Sequence, residues 1–213
     1  MDHKNIEPSL TKTLNSPDSE TLLTNLSEFT IDQILEEGLL KEIPVIATIY
    51  KIVKIGGSIR DYVFAKMLYE FLSSFSTIPE QDRLKLVDKL DSEPKFNQKA
   101  GEYLILLLNR LDNYEKPNLV AKAFSAYLES KIDVVQLQRM HFGIDGVFFP
   151  NLMDLEDYYD QELPEGIAHT TLEPEMYQNL ANCGFLSLSS GHGGGFGSSK
   201  NDFGKLFVNL ILK

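Results

Sequence analysis

The sequence predicts a mostly α-helical protein: a multi-helix bundle followed by a small α(+β) winged-helix-like unit. Three observations predict it. Apolar residues recur at three- and four-residue spacing through most of 30–150. Helix starts are marked by capping pairs or prolines and joined by short turns, as in a bundle. After 172 the order becomes helix, short alternating strand, glycine-rich loop and helix.

Residues 1–29 are rich in Ser, Thr, Asn, Asp and Glu with little periodicity, and read as a mobile acidic arm. Thr30 and Gln33 form a capping box, followed by Ile31, Ile34, Leu35 and Leu39 on one face. Pro44 suits the first turn of the next helix, where its missing N–H costs nothing. Ile46, Ile49, Tyr50 and Val53 are its stripe, and Gly56–Gly57 end it. Ser58 with Asp61 opens a broad-faced helix carrying Ile59, Val63, Met67, Phe71 and Phe75, widened by Phe64, Leu68 and Leu72. This is the expected centre of the bundle.

Thr77 and Glu80 form another capping box, leading into Leu84, Val87 and Leu90. Pro94 is read as starting a helix through Phe96, Ala100, Leu104, Leu107, Leu108 and Leu111, and Pro117 as starting one through Val120, Phe124, Tyr127 and Leu128. Asp133, with Gln136, caps a helix with Val134, Leu137, Met140, His141 and Ile144 inside. The bundle is thus expected over 30–150.

Residues 151–172 read as a short acidic helix and a linker. In the C-terminal unit, 173–213, Pro174 starts a helix to Asn182, and 185–188 alternates as a strand does. A loop spans 191–199, a second strand is left only Ser198–Lys200, and Asn201 caps a last helix carrying Phe203, Leu206, Phe207, Leu210 and Ile211.

The net charge of −11 is uneven. Residues 1–40 hold two Lys against eight acids, 41–146 hold fifteen Lys and Arg against fourteen acids, and 147–213 hold three Lys against nine acids. Acidic flanks oppose nucleic-acid phosphates. The single cysteine, Cys183, allows no internal disulfide, which fits a reducing cytoplasmic setting. The polar first ten residues suggest no leader, and no apolar run approaches the ~20 residues of a membrane span.

No catalytic, cofactor or metal constellation is expected. His192–Gly193–Gly194–Gly195 matches an oxyanion-loop motif, but a G-x-S-x-G elbow is missing. The glycine loop is neither a dinucleotide fingerprint nor a phosphate loop. His3, His141, His169 and His192 are scattered, without zinc-site spacing. The acids Asp154, Glu156, Asp157 and Asp160 lack the spacing of a calcium loop and read as a solvated helix face. Those four acids with His192, Gly193, Gly194, Gly195 and Phe196 form the expected interaction surface.

The stretch Ile-Gly-Gly-Ser-Ile-Arg-Asp at 55–61 and the closing Phe203–Gly204–Lys205–Leu206–Phe207 resemble bacterial proteins of the abortive-infection alpha type. The resemblance covers about 41–150 and 173–213. It implies a role in phage defence or a related stress response, and it transfers no catalytic residue.

The expected function is a non-enzymatic protein-interaction or regulatory protein of a bacterial cell, with a protein partner or a second copy of itself. One alternative is a DNA-binding regulator using the winged helix, although all four arginines lie outside it. Another is a membrane-acting effector using the amphipathic 43–75 region.

Overall fold

A computed structural model describes residues 6–15, 33–34, 43–54, 56–161, 174–190 and 196–213. The described residues are mostly helical and include one two-stranded sheet. The chain divides into two compact units, Met1–Val135 and Gln136–Lys213. The boundary lies earlier than the expected one at 150, because most of the helix after Asp133 belongs with the C-terminal unit.

The first unit contains α1 (Ile6–Leu14), α2 (Pro44–Lys54), α3 (Ile59–Phe75), α4 (Glu80–Arg83), α5 (Leu86–Asp91), α6 (Ala100–Leu108) and α7 (Lys116–Leu128). Helix α1 corrects part of the expected mobile arm. Its Ile6, Leu10 and Leu14 are buried at i, i+4 and i+8, a stripe so narrow that the polar residues between hide it. Pro8 sits in its first turn, where proline is tolerated. It packs on α2 and α6. Ser9 Oγ and Thr48 Oγ1 are 2.8 Å apart, and Thr13 Oγ1 accepts from the Val45 N–H at 3.2 Å. The helix expected from Thr30 lies outside the described residues except Gln33 and Ile34, which are helical.

Helix α2 starts at Pro44 as expected, and Gly56 follows it with φ 116°, a conformation glycine adopts freely. The Ser58–Asp61 box forms: Ser58 N–H donates to Asp61 Oδ2 at 2.8 Å, and Asp61 N–H donates to Ser58 Oγ at 3.2 Å. Helix α3 buries Phe64, Met67, Leu68, Phe71, Leu72 and Phe75, and its closest helical partner is α7. Phe71 stacks on Phe75 at 5.2 Å and meets Phe124 of α7 edge-on at 6.1 Å. Ile59, expected inside, is 86% exposed because it stands at the very start of α3, before the buried face begins.

Two expected starts fail. Thr77 does not cap a following helix; its hydroxyl turns back to the Ser74 carbonyl at 2.7 Å, and Pro79 precedes α4 without a side-chain cap. The expected single helix here is split into α4 and α5. Pro94 opens no helix either. Asn97 takes φ 56°, and α6 begins only at Ala100, six residues after Pro94, where Asp91 Oδ1 accepts the Ala100 N–H at 2.7 Å. Phe96 is still buried, from the turn. Helix α7 carries Pro117 in its first turn as expected. Lys116 beside it is fully buried, its Nζ 2.6 Å from Asp112 Oδ1.

Helix α8 (Val134–Gly146) begins next to Asp133 as expected. In the second unit follow α9 (Pro150–Asp160), α10 (Pro174–Asn182), β1 (Leu186–Ser190), β2 (Phe196–Lys200), α11 (Asp202–Phe207) and a π-helical end, Val208–Leu212. The strands pair antiparallel from Leu186↔Lys200 to Ser190↔Phe196, so the second strand is longer than the three residues the sequence suggested. Backbone pairing does not require an apolar pattern, which is why Gly197, Ser198 and Ser199 can serve. Asn201 caps α11 as expected, its Oδ1 accepting the Gly204 N–H at 2.7 Å. Phe185 packs against Phe207 with ring centres 4.3 Å apart. Gly143 lies where a Cβ would meet Phe185 Cζ at 2.6 Å.

Candidate functional site

Helix α9 has two faces. Asn151, Leu152, Leu155 and Tyr158 are buried. Met153, Asp154, Asp157 and Asp160 are exposed, with Glu156 between the two. The spacing 153, 157, 160 puts Met153 on one face with two of the acids. The predicted acidic residues therefore share one helix, largely on its open side.

Basic residues secure the end of α9. Lys200 Nζ donates to the carbonyls of Tyr159, at 3.0 Å, and of Gln161. A cation there complements the partial negative charge of a helix C-terminus. It also lies 5.7 Å from the Tyr158 ring centre and 5.9 Å from that of Tyr159. Lys213 Nζ lies 2.7 Å from Asp160 Oδ1, and that hydrogen bond holds the lysine above its ordinary range. Asp160 is thus engaged within the unit, unlike the open face the sequence suggested.

No local pattern in the sequence marks the role of Tyr159. Its hydroxyl donates to the Phe185 carbonyl at 2.7 Å and accepts the Asn201 N–H at 3.0 Å. The Asn201 carbonyl is a second acceptor at 3.1 Å. Asn201 Nδ2 donates to the Gly184 carbonyl at 3.1 Å, so one tyrosine and one asparagine join α9, the turn before β1 and the start of α11. Burial pushes the Tyr159 phenol up to about 12, against the lowering effect of the Asn201 hydrogen bond. Gly204 leaves room for this: a Cβ there would meet Phe185 O at 2.0 Å and Tyr159 Oη at 2.1 Å.

A second tie fixes the start of α9. Asn179 Oδ1 on α10 accepts from the Phe148 N–H and from Asn151 Nδ2, each at 3.0 Å. The Phe148 backbone is anchored while its side chain is 61% exposed. Met153 is 68% and Phe142 of α8 64% exposed. Phe142 falls out of phase with the buried Leu137, Met140, His141 and Ile144, and that phase slip was readable in the sequence. None of these three was singled out from the sequence.

His192, Gly193, Gly194 and Gly195 lie outside the described residues, and Phe196 opens β2 opposite Ser190. Cys183 and His141 are buried. Among the described residues no group of three or more His, Cys, Asp and Glu could hold a metal ion, and no helix is long and apolar enough to cross a membrane. No family model, curated protein or solved structure matches this chain.

Proposed function

We propose that the protein is a non-enzymatic interaction module whose C-terminal unit grips a protein partner through Phe142, Phe148 and Met153. The exposure of these three large apolar side chains within twelve residues carries the reading. Exposed apolar groups that gather on a surface mark interaction sites, and these three fall within twelve residues of chain. Asp154 and Asp157 flank Met153. The partner that fits is an amphipathic segment with apolar anchors edged by Lys or Arg, since complementary charge favours encounter and register.

Helix α10, the β1–β2 hairpin and α11 follow one another as in a winged-helix-like unit, and we read them as one. Of the three lysines in 147–213, Lys200 and Lys213 are engaged within the unit. That leaves little cation for phosphate contacts, so the protein-binding use is favoured over DNA reading. The resemblance at 55–61 and 203–207 supports a bacterial setting and phage defence.

The test is a photo-crosslinking residue placed at Phe148 and, separately, at Met153, expressed in the native host. A single protein adduct at both sites, absent when the crosslinker stands at exposed Lys122, is expected. It should disappear on Phe142→Ser with helicity retained. Adducts no stronger than at Lys122, or a low-salt DNA shift lost on Lys205→Glu, would overturn the reading.

A further inference from the structure

Arg139 stands on α8 about one turn before Phe142, so the two are neighbours on one side of the helix. Both are exposed. The Arg139 guanidinium lies over the Phe203 ring, its carbon 4.2 Å from the ring centre. That ring is itself held. It stacks on Phe185 with ring centres 6.1 Å apart and planes 2° from parallel, and Phe185 is fully buried against Phe207. The arginine is therefore seated on a stack rooted in the core of the second unit.

The seat uses only one part of the guanidinium. Contact with the ring takes its flat face, whereas its N–H donors lie in its plane and point outward from its edges. Among the described residues the Arg139 side chain has no hydrogen bond and no ion pair. Arginine always carries its charge and its five donors. A planar fork that is held flat and left open fits a carboxylate or a phosphate, two N–H groups meeting two oxygens.

Two observations select the carboxylate. Residues 136–213 hold four Lys and Arg against ten acids, so the surroundings repel a doubly charged or polymeric phosphate more than a single carboxylate. Lys200 and Lys213, which could have shared the charge of a phosphate, are turned to the end of α9 and to Asp160.

We infer that Arg139 sets the specificity of the docking surface by pairing with an Asp or Glu side chain that the partner carries next to the apolar group seated on Phe142. The inference rests on the protein-binding reading above and deepens it. Asp154 and Asp157 beside Met153 call for a cation, whereas Arg139 beside Phe142 calls for an anion. The partner segment is thus acidic at one end and basic at the other, which fixes the direction in which it lies.

The test is selection from a displayed library of random peptides, about 16 residues or roughly four helical turns long, on the full chain and on its Arg139→Gln and Phe142→Ser variants. The wild-type protein is expected to select peptides that fail to bind Phe142→Ser and that are enriched in Asp or Glu. Arg139→Gln, at an exposed position, should keep its helix signal, bind those peptides about tenfold more weakly and select no acidic enrichment of its own. Arg139→Lys should recover only part of the loss, since an ammonium keeps the charge without the fork. Phe142-dependent peptides without acidic enrichment, or bound equally well by Arg139→Gln, overturn this inference and leave the protein-binding reading standing. So does displacement of those peptides by inorganic phosphate but not by acetate, which would make the fork a phosphate site. No Phe142-dependent peptide at all overturns both.

Discussion

Each of the two units is held together internally by a different kind of interaction. In the first, α3 and α7 meet through aromatic rings: Phe71, Phe75 and Phe124 are all at most 1% exposed. In the second, apolar packing around Phe185 and Phe207 is joined by a polar hub. The Tyr159 hydroxyl and the Asn201 side chain between them satisfy groups on three separate segments. A core of rings loses stability through cavities, whereas a hub loses it through orphaned backbone groups. The difference also bears on use, since a second polar tie, Asn179 to the Phe148 N–H, holds backbone while the Phe148 side chain faces outward.

Phe124→Ala tests the first half of the contrast and has the largest expected effect. It removes the edge-on partner of Phe71 from a closed core. The cost should be about 3–5 kcal/mol, measured by denaturant unfolding of the full chain. Hydrogen exchange should show α3 and α7 opening while the amides of β1 and β2 keep their protection. A cost below about 1 kcal/mol would mean that the bundle repacks around the gap, and the contrast would fail there.

Tyr159→Phe tests the second half. The ring stays, but the Asn201 N–H and the Phe185 carbonyl lose their partner. The expected cost is about 1–3 kcal/mol, confined to the second unit. The pH dependence separates a hub from a packing role. The Tyr159 phenol ionises near 12 in the folded protein and near its ordinary 10 when unfolded. Its contribution is therefore complete below pH 10 and is lost as the pH rises from 10 towards 12. Wild-type protein should lose protection of the hairpin amides across that window, and Tyr159→Phe should show a flatter profile. Equal profiles would reduce Tyr159 to a packing residue.

How much was legible in the sequence follows the same divide. The α2, α3, α7 and α10 starts were readable because a proline or a Ser–Asp pair marks a place where backbone N–H groups go unpaired. Thr77 and Pro94 carried similar marks and misled. Thr77 serves the end of α3 instead of the start of α4, and the chain at Asn97 turns before α6 can begin. Helix α1 was not legible because three buried apolar side chains in nine residues, with the buried Thr13 between them, are too few to stand out among Ser and Thr. The acidic face of α9 was readable from spacing. Tyr159 was not, because its hydroxyl partners lie 26 and 42 residues away and nothing local announces them. The apolar anchors were half-legible: Phe142 breaks the phase of α8, whereas Phe148 and Met153 gave no local signal.

Asp61→Ala has the smallest expected effect and asks whether polar devices in the bundle matter as they do in the second unit. The carboxylate accepts from the Ser58 N–H at 2.8 Å and the Ser58 hydroxyl at 2.9 Å. That backbone hydrogen bond is the main reason its carboxyl titrates below the usual 3.8. Removing it should cost about 1 kcal/mol or less near neutral pH, the ordinary worth of an exposed helix cap. Because the folded group is the stronger acid, its contribution is present above pH 3.8 and is lost as the pH falls through the lower folded value. Wild type and variant should therefore converge in stability on the acid side, followed by helix signal against denaturant at a series of pH values. A gap that persists in strong acid would assign the effect to Ala at that position instead of to the lost carboxylate. A loss well above that of a cap would make the start of α3 a second hub, and the contrast between the units would then be one of degree.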